Sequence, residues 1–98
     1  MAKQIKNNKN FLVIQCTVYE LFKIEPGGLG ICDCCGSPSF SGYIPCVLGH
    51  RYYCDKCYKE WVKRAVNYPD DRVYEQQVFN AFEQRFKNAK LWEPNNDR

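Results

Sequence analysis

Two Cys-x-x-Cys pairs constrain this chain more than any other feature of its sequence. Cys32 and Cys35 form the first pair, Cys54 and Cys57 form the second, and 18 residues separate them. This spacing is typical of sites in which one tetrahedral zinc ion takes two thiolates from each pair. Two independent reactive dithiols, the alternative, would not explain why both pairs occur at metal spacing. The sequence therefore predicts one structural zinc ion with the ligands Cys32, Cys35, Cys54 and Cys57.

The length and the cysteine count set the class of protein. A chain of 98 residues holds one domain at most, and seven cysteines is far above ordinary usage. An odd count clustered at metal spacing argues against a secreted disulfide framework. The polar start "MAKQIKNNKN" and the short apolar run "FLVI" provide neither a signal peptide nor a membrane span. We therefore expect a cytoplasmic protein whose thiols bind metal.

The first half of the chain is predicted to be mainly extended. Residues 10–18 are rich in β-forming side chains and predict a strand. Thr17 precedes Glu20 by three positions, the spacing of a capping box, which predicts a short helix immediately afterwards. Residues 41–54 predict a β-hairpin that turns at Gly49 and His50.

Two helices are predicted to follow the hairpin. Residues 54–68 and 72–90 both carry apolar side chains at spacings of three and four. The first cysteine pair and the glycine after it, residues 32–36, predict a zinc knuckle. A knuckle, a hairpin and then ligands in the first helical turn are the order of a treble-clef zinc finger. We therefore expect an α+β fold, a small treble clef with an N-terminal strand and an additional C-terminal helix. The expected parts are a flexible basic N-terminus (1–9), a single zinc-finger domain (10–92) and a flexible tail (93–98).

Cys46 and His50 extend the cysteine pattern to C-x2-C-x10-C-x3-H-x3-C-x2-C. This pattern resembles the first six ligand positions of a RING finger. In that family a second zinc would take Cys46, His50 and a later C-x-x-C pair, but no cysteine or histidine follows Cys57 in this sequence. Since the second site cannot close within one chain, we do not expect ubiquitin-ligase activity. Cys46 is expected to be a buried strand residue and His50 an exposed turn residue.

The two remaining cysteines are not expected to bind metal. Cys34 lies inside the knuckle, where its side chain should point away from the ion. An exchange of register with Cys32 or Cys35 is the alternative. Cys16 lies in the predicted strand and is expected to be a core residue, as free cysteines often are.

A second resemblance is looser and covers residues 10–66. The segments "NFLVIQCT", "GICDCCG" and "YYCDKCYKEW" resemble small single-zinc proteins carried by bacterial mobile elements and phages. The resemblance implies the same small zinc-finger fold and supplies no activity.

Binding rather than catalysis is the function that the sequence favours. A site with four protein ligands leaves no position for an activated water, and the chain offers neither a paired acid–base set nor a glycine-rich phosphate loop. We therefore expect a protein-interaction adaptor or inhibitor, and not an enzyme. A homodimer through the C-terminal helix is an alternative. The candidate partner contacts are Phe79, Phe82, Phe86 and Trp92.

Nucleic-acid binding is the second hypothesis. A net charge of +3 permits it without indicating it, and Glu75, Glu83 and Glu93 dilute the positive charge of the C-terminal half. The contacts would come from the N-terminal arm and from one face of the first predicted long helix. On that helix the candidate residues are Lys56, Lys59, Lys63 and Arg64.

Overall fold

Three short antiparallel strands form the sheet of this protein, whose computed structural model describes residues 1–25 and 27–93. The strands are β1 (Lys3–Ile5), β2 (Val13–Thr17) and β3 (Ser41–Pro45), in the order β1-β2-β3. Ile14 lies opposite Ile44 in the register of β2 and β3, and both side chains are buried. The predicted N-terminal strand is thus the central strand of the sheet.

α-Helices lie on both sides of β3 in the sequence. They are α1 (Val18–Ile24), α2 (Asp55–Arg64) and α3 (Arg72–Asn88). The predicted capping box begins α1: the Glu20 N–H donates to Thr17 Oγ1 (3.3 Å), and the Thr17 N–H donates to the Glu20 carboxylate (2.8 Å). These reciprocal bonds satisfy two backbone N–H groups at the start of the helix. The predicted α+β class is confirmed.

The apolar face of α3 packs into the protein's own core. Phe79, Phe82 and Phe86 are 5%, 2% and 0% exposed, and the half-buried Trp92 lies against Phe79 and Phe86 at ring distances of 5.9 and 6.2 Å. These four residues were the candidate partner contacts predicted from the sequence. They are instead occupied within the chain, because α3 covers the apolar face of a small sheet that would otherwise be exposed to water.

Glu75 lies in the protein interior, where charged side chains are rare. Its side chain is 1% exposed, and Oε2 accepts the Leu12 backbone N–H at 2.8 Å. Arg72 lies 3.4 Å from its other oxygen. A buried carboxylate is tolerated here because both oxygens have partners, so Glu75 ties α3 to the chain entering β2.

The first nine residues contribute to the fold where the sequence suggested a flexible arm. Ala2 is fully buried; its N–H donates to Leu91 O (2.8 Å) and its carbonyl accepts the Glu93 N–H (2.7 Å). Lys9 Nζ donates to the carbonyls of Lys63 and Ala65, both at 2.8 Å. Lys9 therefore caps the C-terminal end of α2, where a cation is favoured. Of the predicted tail, residues 94–98 lie outside the described residues.

The predicted hairpin is present only as a single bridge. Tyr43 and Tyr53 exchange backbone hydrogen bonds of 2.9 and 2.8 Å. The segment between them leaves the strand at Pro45 and forms a 3₁₀ turn over Cys46–Leu48. The Cys46 N–H donates to Leu12 O (3.0 Å), which holds this turn against the entry to β2 instead of extending an arm. The predicted turn position is occupied by Gly49, which has φ of +82°.

Candidate metal centre

The four predicted cysteine ligands meet at one point. All four sulfur atoms lie within 4.8 Å of one another, and Cys35 Sγ lies 3.9 Å from Cys54 Sγ. A tetrahedron with metal–sulfur bonds of ~2.3 Å has sulfur–sulfur edges of about 3.8 Å. The cluster therefore fits a single four-coordinate ion. Among the described residues, metal-binding side chains gather in this way only at Cys32, Cys35, Cys54 and Cys57.

A tight turn aims the first two sulfurs. The Cys32 N–H donates to Ser37 O (2.9 Å), and the Gly36 N–H donates back to Cys32 O (2.8 Å). Gly36 has φ of +76°, a conformation in which a side chain would be strained. The Cys34 N–H points at Cys32 Sγ from 3.4 Å. This turn is the predicted knuckle, and it requires glycine directly after the second cysteine.

The N-terminus of α2 supplies the other two sulfurs. Cys54 is the N-cap residue, and Cys57 lies in the first turn of the helix. Free N–H groups and the helix dipole at this end favour negatively charged sulfur. Cys57 is also part of an apolar cluster with Phe11 and Trp61, which fixes the ligand segment to the protein core.

Asp33 joins the knuckle to the segment that precedes α2. Its N–H donates to Tyr52 O (2.8 Å), and its carboxylate accepts the Tyr52 N–H (2.7 Å). This pair of bonds holds the two halves of the metal centre at a fixed separation. The sequence alone does not identify Asp33 as part of the site, because its partner lies 19 residues away. The one available signal was its place inside the Cys-x-x-Cys pair.

The protein environment prepares two of the sulfurs for ionisation. Burial opposes ionisation of Cys32, but backbone N–H groups of Cys35 and Cys54 outweigh it and lower the pKa of this thiol to about 6. Ser37 lowers the pKa of Cys35 through its backbone and side chain. Burial and the neighbouring sulfurs raise the pKa of Cys57. A bound cation would offset the repulsion among the four sulfurs, because metal binding removes the thiol protons.

Cys46 and His50 do not form part of a second metal site among the described residues. The Cys46 side chain is fully buried, with its sulfur 3.7 Å from Ile44 O. The exposed His50 ring packs on Phe82 at 5.1 Å and lies 3.2 Å from Glu25 Oε1. The predicted burial of Cys46 and exposure of His50 are confirmed, although Cys46 lies in a 3₁₀ turn and not in a strand.

Thiol alkylation should separate the cysteines into distinct groups. Burial raises the pKa of Cys16 to about 12 and that of Cys46 to about 12, so both remain protonated and unreactive at neutral pH. Cys34 is exposed. With the metal bound, N-ethylmaleimide should therefore label each folded chain once, at Cys34, as mapped by peptide mass spectrometry. Cys34→Ser should remove this label. Labelling of Cys16 or Cys46 while the far-UV circular dichroism stays native would contradict the assignment.

The basic residues of α2 lie on its solvent face. Lys56, Lys59, Lys63 and Arg64 are all exposed. Lys59 forms an ion pair with Asp55 at 3.0 Å. Within residues 1–25 and 27–93, the other three side chains form no ion pair. Lys56, Lys63 and Arg64 thus give α2 a positive surface that a ligand could contact.

Comparison with known proteins gives no assignment. No family model, curated protein or solved structure matches the chain. Within the described residues, no helix combines the length and apolar character needed to cross a membrane. The interpretation of the centre therefore depends on its own geometry and chemistry.

Proposed function

We propose that this protein is a small zinc-binding module in which one structural ion holds the fold together. The four sulfur atoms within 4.8 Å of one another support this proposal above all. Four thiolates suit zinc, and a site closed by four protein ligands has no open position for an activated water. The ion would act by stabilising the fold, and the protein would act by binding and not by catalysis.

The proposed fold type is a treble clef with extensions. The knuckle, the Tyr43–Tyr53 bridge and the ligands at the start of α2 follow one another in the treble-clef order. The bridge is a reduced form of the hairpin found in that arrangement. β1 and β2 extend it on the N-terminal side, and α3 packs against the resulting sheet.

A protein partner is the ligand class that the surface favours. Tyr19 and Phe40 are 70% and 62% exposed, and their rings meet edge to face at 5.7 Å. Phe22, on the same helix as Tyr19, is 53% exposed. We name these three residues the α1 surface. Grouped exposed aromatic side chains are enriched where proteins bind one another, which supports a role as an adaptor or inhibitor. Carriage by a mobile element or phage is proposed from the sequence resemblance over residues 10–66 alone.

Nucleic acid is the second candidate ligand, supported by the exposed cations of α2. Its binding would weaken steeply as salt rises, because phosphate contacts release counterions. Lys59 is already paired with Asp55, and Lys9 is occupied in capping α2. These two contacts leave fewer positive side chains available to bind a phosphate backbone.

Affinity capture with the zinc-loaded chain distinguishes the two ligand classes. One variant replaces Tyr19 and Phe40 with serine, and the other replaces Lys56, Lys63 and Arg64 with glutamate. We expect a protein to be captured at both low and high salt, to be lost from the aromatic variant and to be retained by the charge variant. Capture of nucleic acid that disappears in high salt and in the charge variant would favour the second candidate. Capture unaffected by either variant would contradict both.

A further inference from the structure

A cavity of about 240 Å³ opens beside α1 and borders the knuckle through Ile31 and Asp33. Its apolar lining includes Leu21 from α1, Ile44 from β3 and Phe82 from α3. These three side chains are at most 6% exposed, so the floor of the cavity belongs to the packed core. A cavity of this size and lining suits one large apolar side chain.

The rim of the cavity carries apolar groups that face water. Leu29 and Ile31 contribute to its wall and are 71% and 40% exposed. The Gly30 carbonyl between them accepts the Ser39 N–H at 2.8 Å, which brings the rim next to Phe40 of the α1 surface. The cavity is thus contiguous with the surface already proposed to bind a protein.

The charges at the mouth differ in whether they are already paired. Glu25 Oε1 lies 3.2 Å from His50 Nδ1 and accepts a hydrogen bond from Arg85 at 3.1 Å. Asp33 accepts the Tyr52 N–H. Both carboxylates on the rim are therefore engaged within the chain.

Arg51 also lines the cavity, and its side chain has no ion-pair partner among the described residues. It is exposed, and it makes no ion pair or hydrogen bond within residues 1–25 and 27–93. Of the described charged side chains that line this mouth, Arg51 is therefore the one still open to an ion pair with a ligand. A ligand that complements it carries a negative charge beside its apolar group.

We propose that this cavity receives a large apolar side chain from a partner protein, and that an acidic residue next to it in the partner's sequence pairs with Arg51. The proposal rests on the protein-binding function above and states which kind of side chain the partner inserts into this protein. A peptide is favoured over a single-stranded nucleic acid because, among the described residues of the lining, one unpaired cation can pair with one acidic side chain, whereas the two carboxylates would repel a run of phosphates.

Capped dipeptides provide a direct test on the zinc-loaded, ¹⁵N-labelled full chain. We expect acetyl-Phe-Glu-amide to shift the amide signals of Gly28, Leu29 and Arg51 in a saturable manner. Acetyl-Ala-Glu-amide should bind more weakly because it leaves the cavity empty. Arg51→Glu should lower the affinity for acetyl-Phe-Glu-amide by about fivefold, which is the effect of losing one exposed ion pair. The same variant should bind acetyl-Phe-Lys-amide more tightly than acetyl-Phe-Glu-amide.

Lys90→Glu is the matched control, because it makes the same charge change at an exposed residue that does not line the cavity. It should leave the dipeptide affinity within twofold of the parent value. The proposal would be overturned if the parent protein bound the Phe-Glu and Phe-Lys dipeptides with equal affinity, or if Arg51→Glu and Lys90→Glu lost equal dipeptide affinity. It would also be overturned if only hexathymidylate shifted the amide signals near the cavity. If the dipeptides fail to bind while the Tyr19/Phe40 variant still loses its captured partner, the protein-binding function stands and only the cavity assignment falls.

Discussion

Replacing Cys57 with serine is expected to abolish both zinc binding and the cooperative unfolding transition of this protein. Cys57 is 8% exposed and packs in the apolar cluster with Phe11 and Trp61, so the loss of its sulfur removes a ligand from the interior. Structural zinc contributes on the order of 10 kcal/mol of apparent free energy, which is comparable to the whole stability of a small domain. Thermal melts followed by circular dichroism, with and without added zinc, measure the change.

Cys34→Ser is the control for this substitution. Cys34 lies between the ligands of the knuckle but is exposed and outside the sulfur cluster. Its replacement should change the free energy of unfolding by less than about 0.5 kcal/mol. A Cys57→Ser protein that melts cooperatively at the parent temperature in the presence of a chelator would show that the ion does not hold the fold together.

Phe86→Ala is expected to lower the free energy of unfolding by about 3–5 kcal/mol. The Phe86 side chain is fully buried, and its ring lies 6.5 Å from that of Phe82 and 6.2 Å from that of Trp92. Truncation leaves a cavity beneath α3 that these neighbours cannot fill without moving. Urea titration of the zinc-loaded protein, with the slope of the transition checked against the parent, gives the value.

Phe22→Ala makes the same chemical change on the surface. Phe22 is 53% exposed on α1, so its truncation should cost no more than about 0.5 kcal/mol. Similar losses for Phe22→Ala and Phe86→Ala would contradict the assignment of the α3 phenylalanines to the core. A stable Phe86→Ala protein would instead return this residue to the candidate partner contacts.

The parts of this protein that sequence predicted are those governed by local or stereochemical rules. The cysteine spacing indicates a common centre because four sulfurs around one ion leave few suitable chain geometries. Thr17 and Glu20 predict the start of α1 because both partners of the capping box lie within one turn. The apolar spacing over residues 72–90 identified the face of α3 that packs on the sheet.

The features that sequence missed depend on partners far along the chain. Glu75 carries a charge that suggests the surface, and only its bond to Leu12 explains its burial. Lys9 belongs to a polar segment whose role appears when α2 ends beside it. The second hairpin arm did not form because Cys46 bonds to Leu12, 34 residues earlier. No local pattern contains these tertiary contacts, and they decided whether a charged residue lies on the surface or in the interior.

The pairing of charges at the cavity mouth also depends on residues that are far apart in the sequence. Glu25 and Arg85 are 60 residues apart, yet they form an ion pair, whereas Arg51 beside the apolar pocket forms none within the described part of the chain. A sequence pattern lists these charges without saying which of them neutralise one another. The positions of the ligands could therefore be predicted from sequence, whereas the binding surface could not.

The metal content of the native protein tests the central claim most directly. Native mass spectrometry of the full chain, purified without added metal and then titrated with zinc, gives the number of ions per chain. We predict saturation at one zinc ion, complete loss of bound zinc in the Cys57→Ser protein, and retention of one ion in Cys34→Ser. A chain that keeps its native circular dichroism spectrum with no metal bound, or that saturates at two zinc ions, would contradict the account.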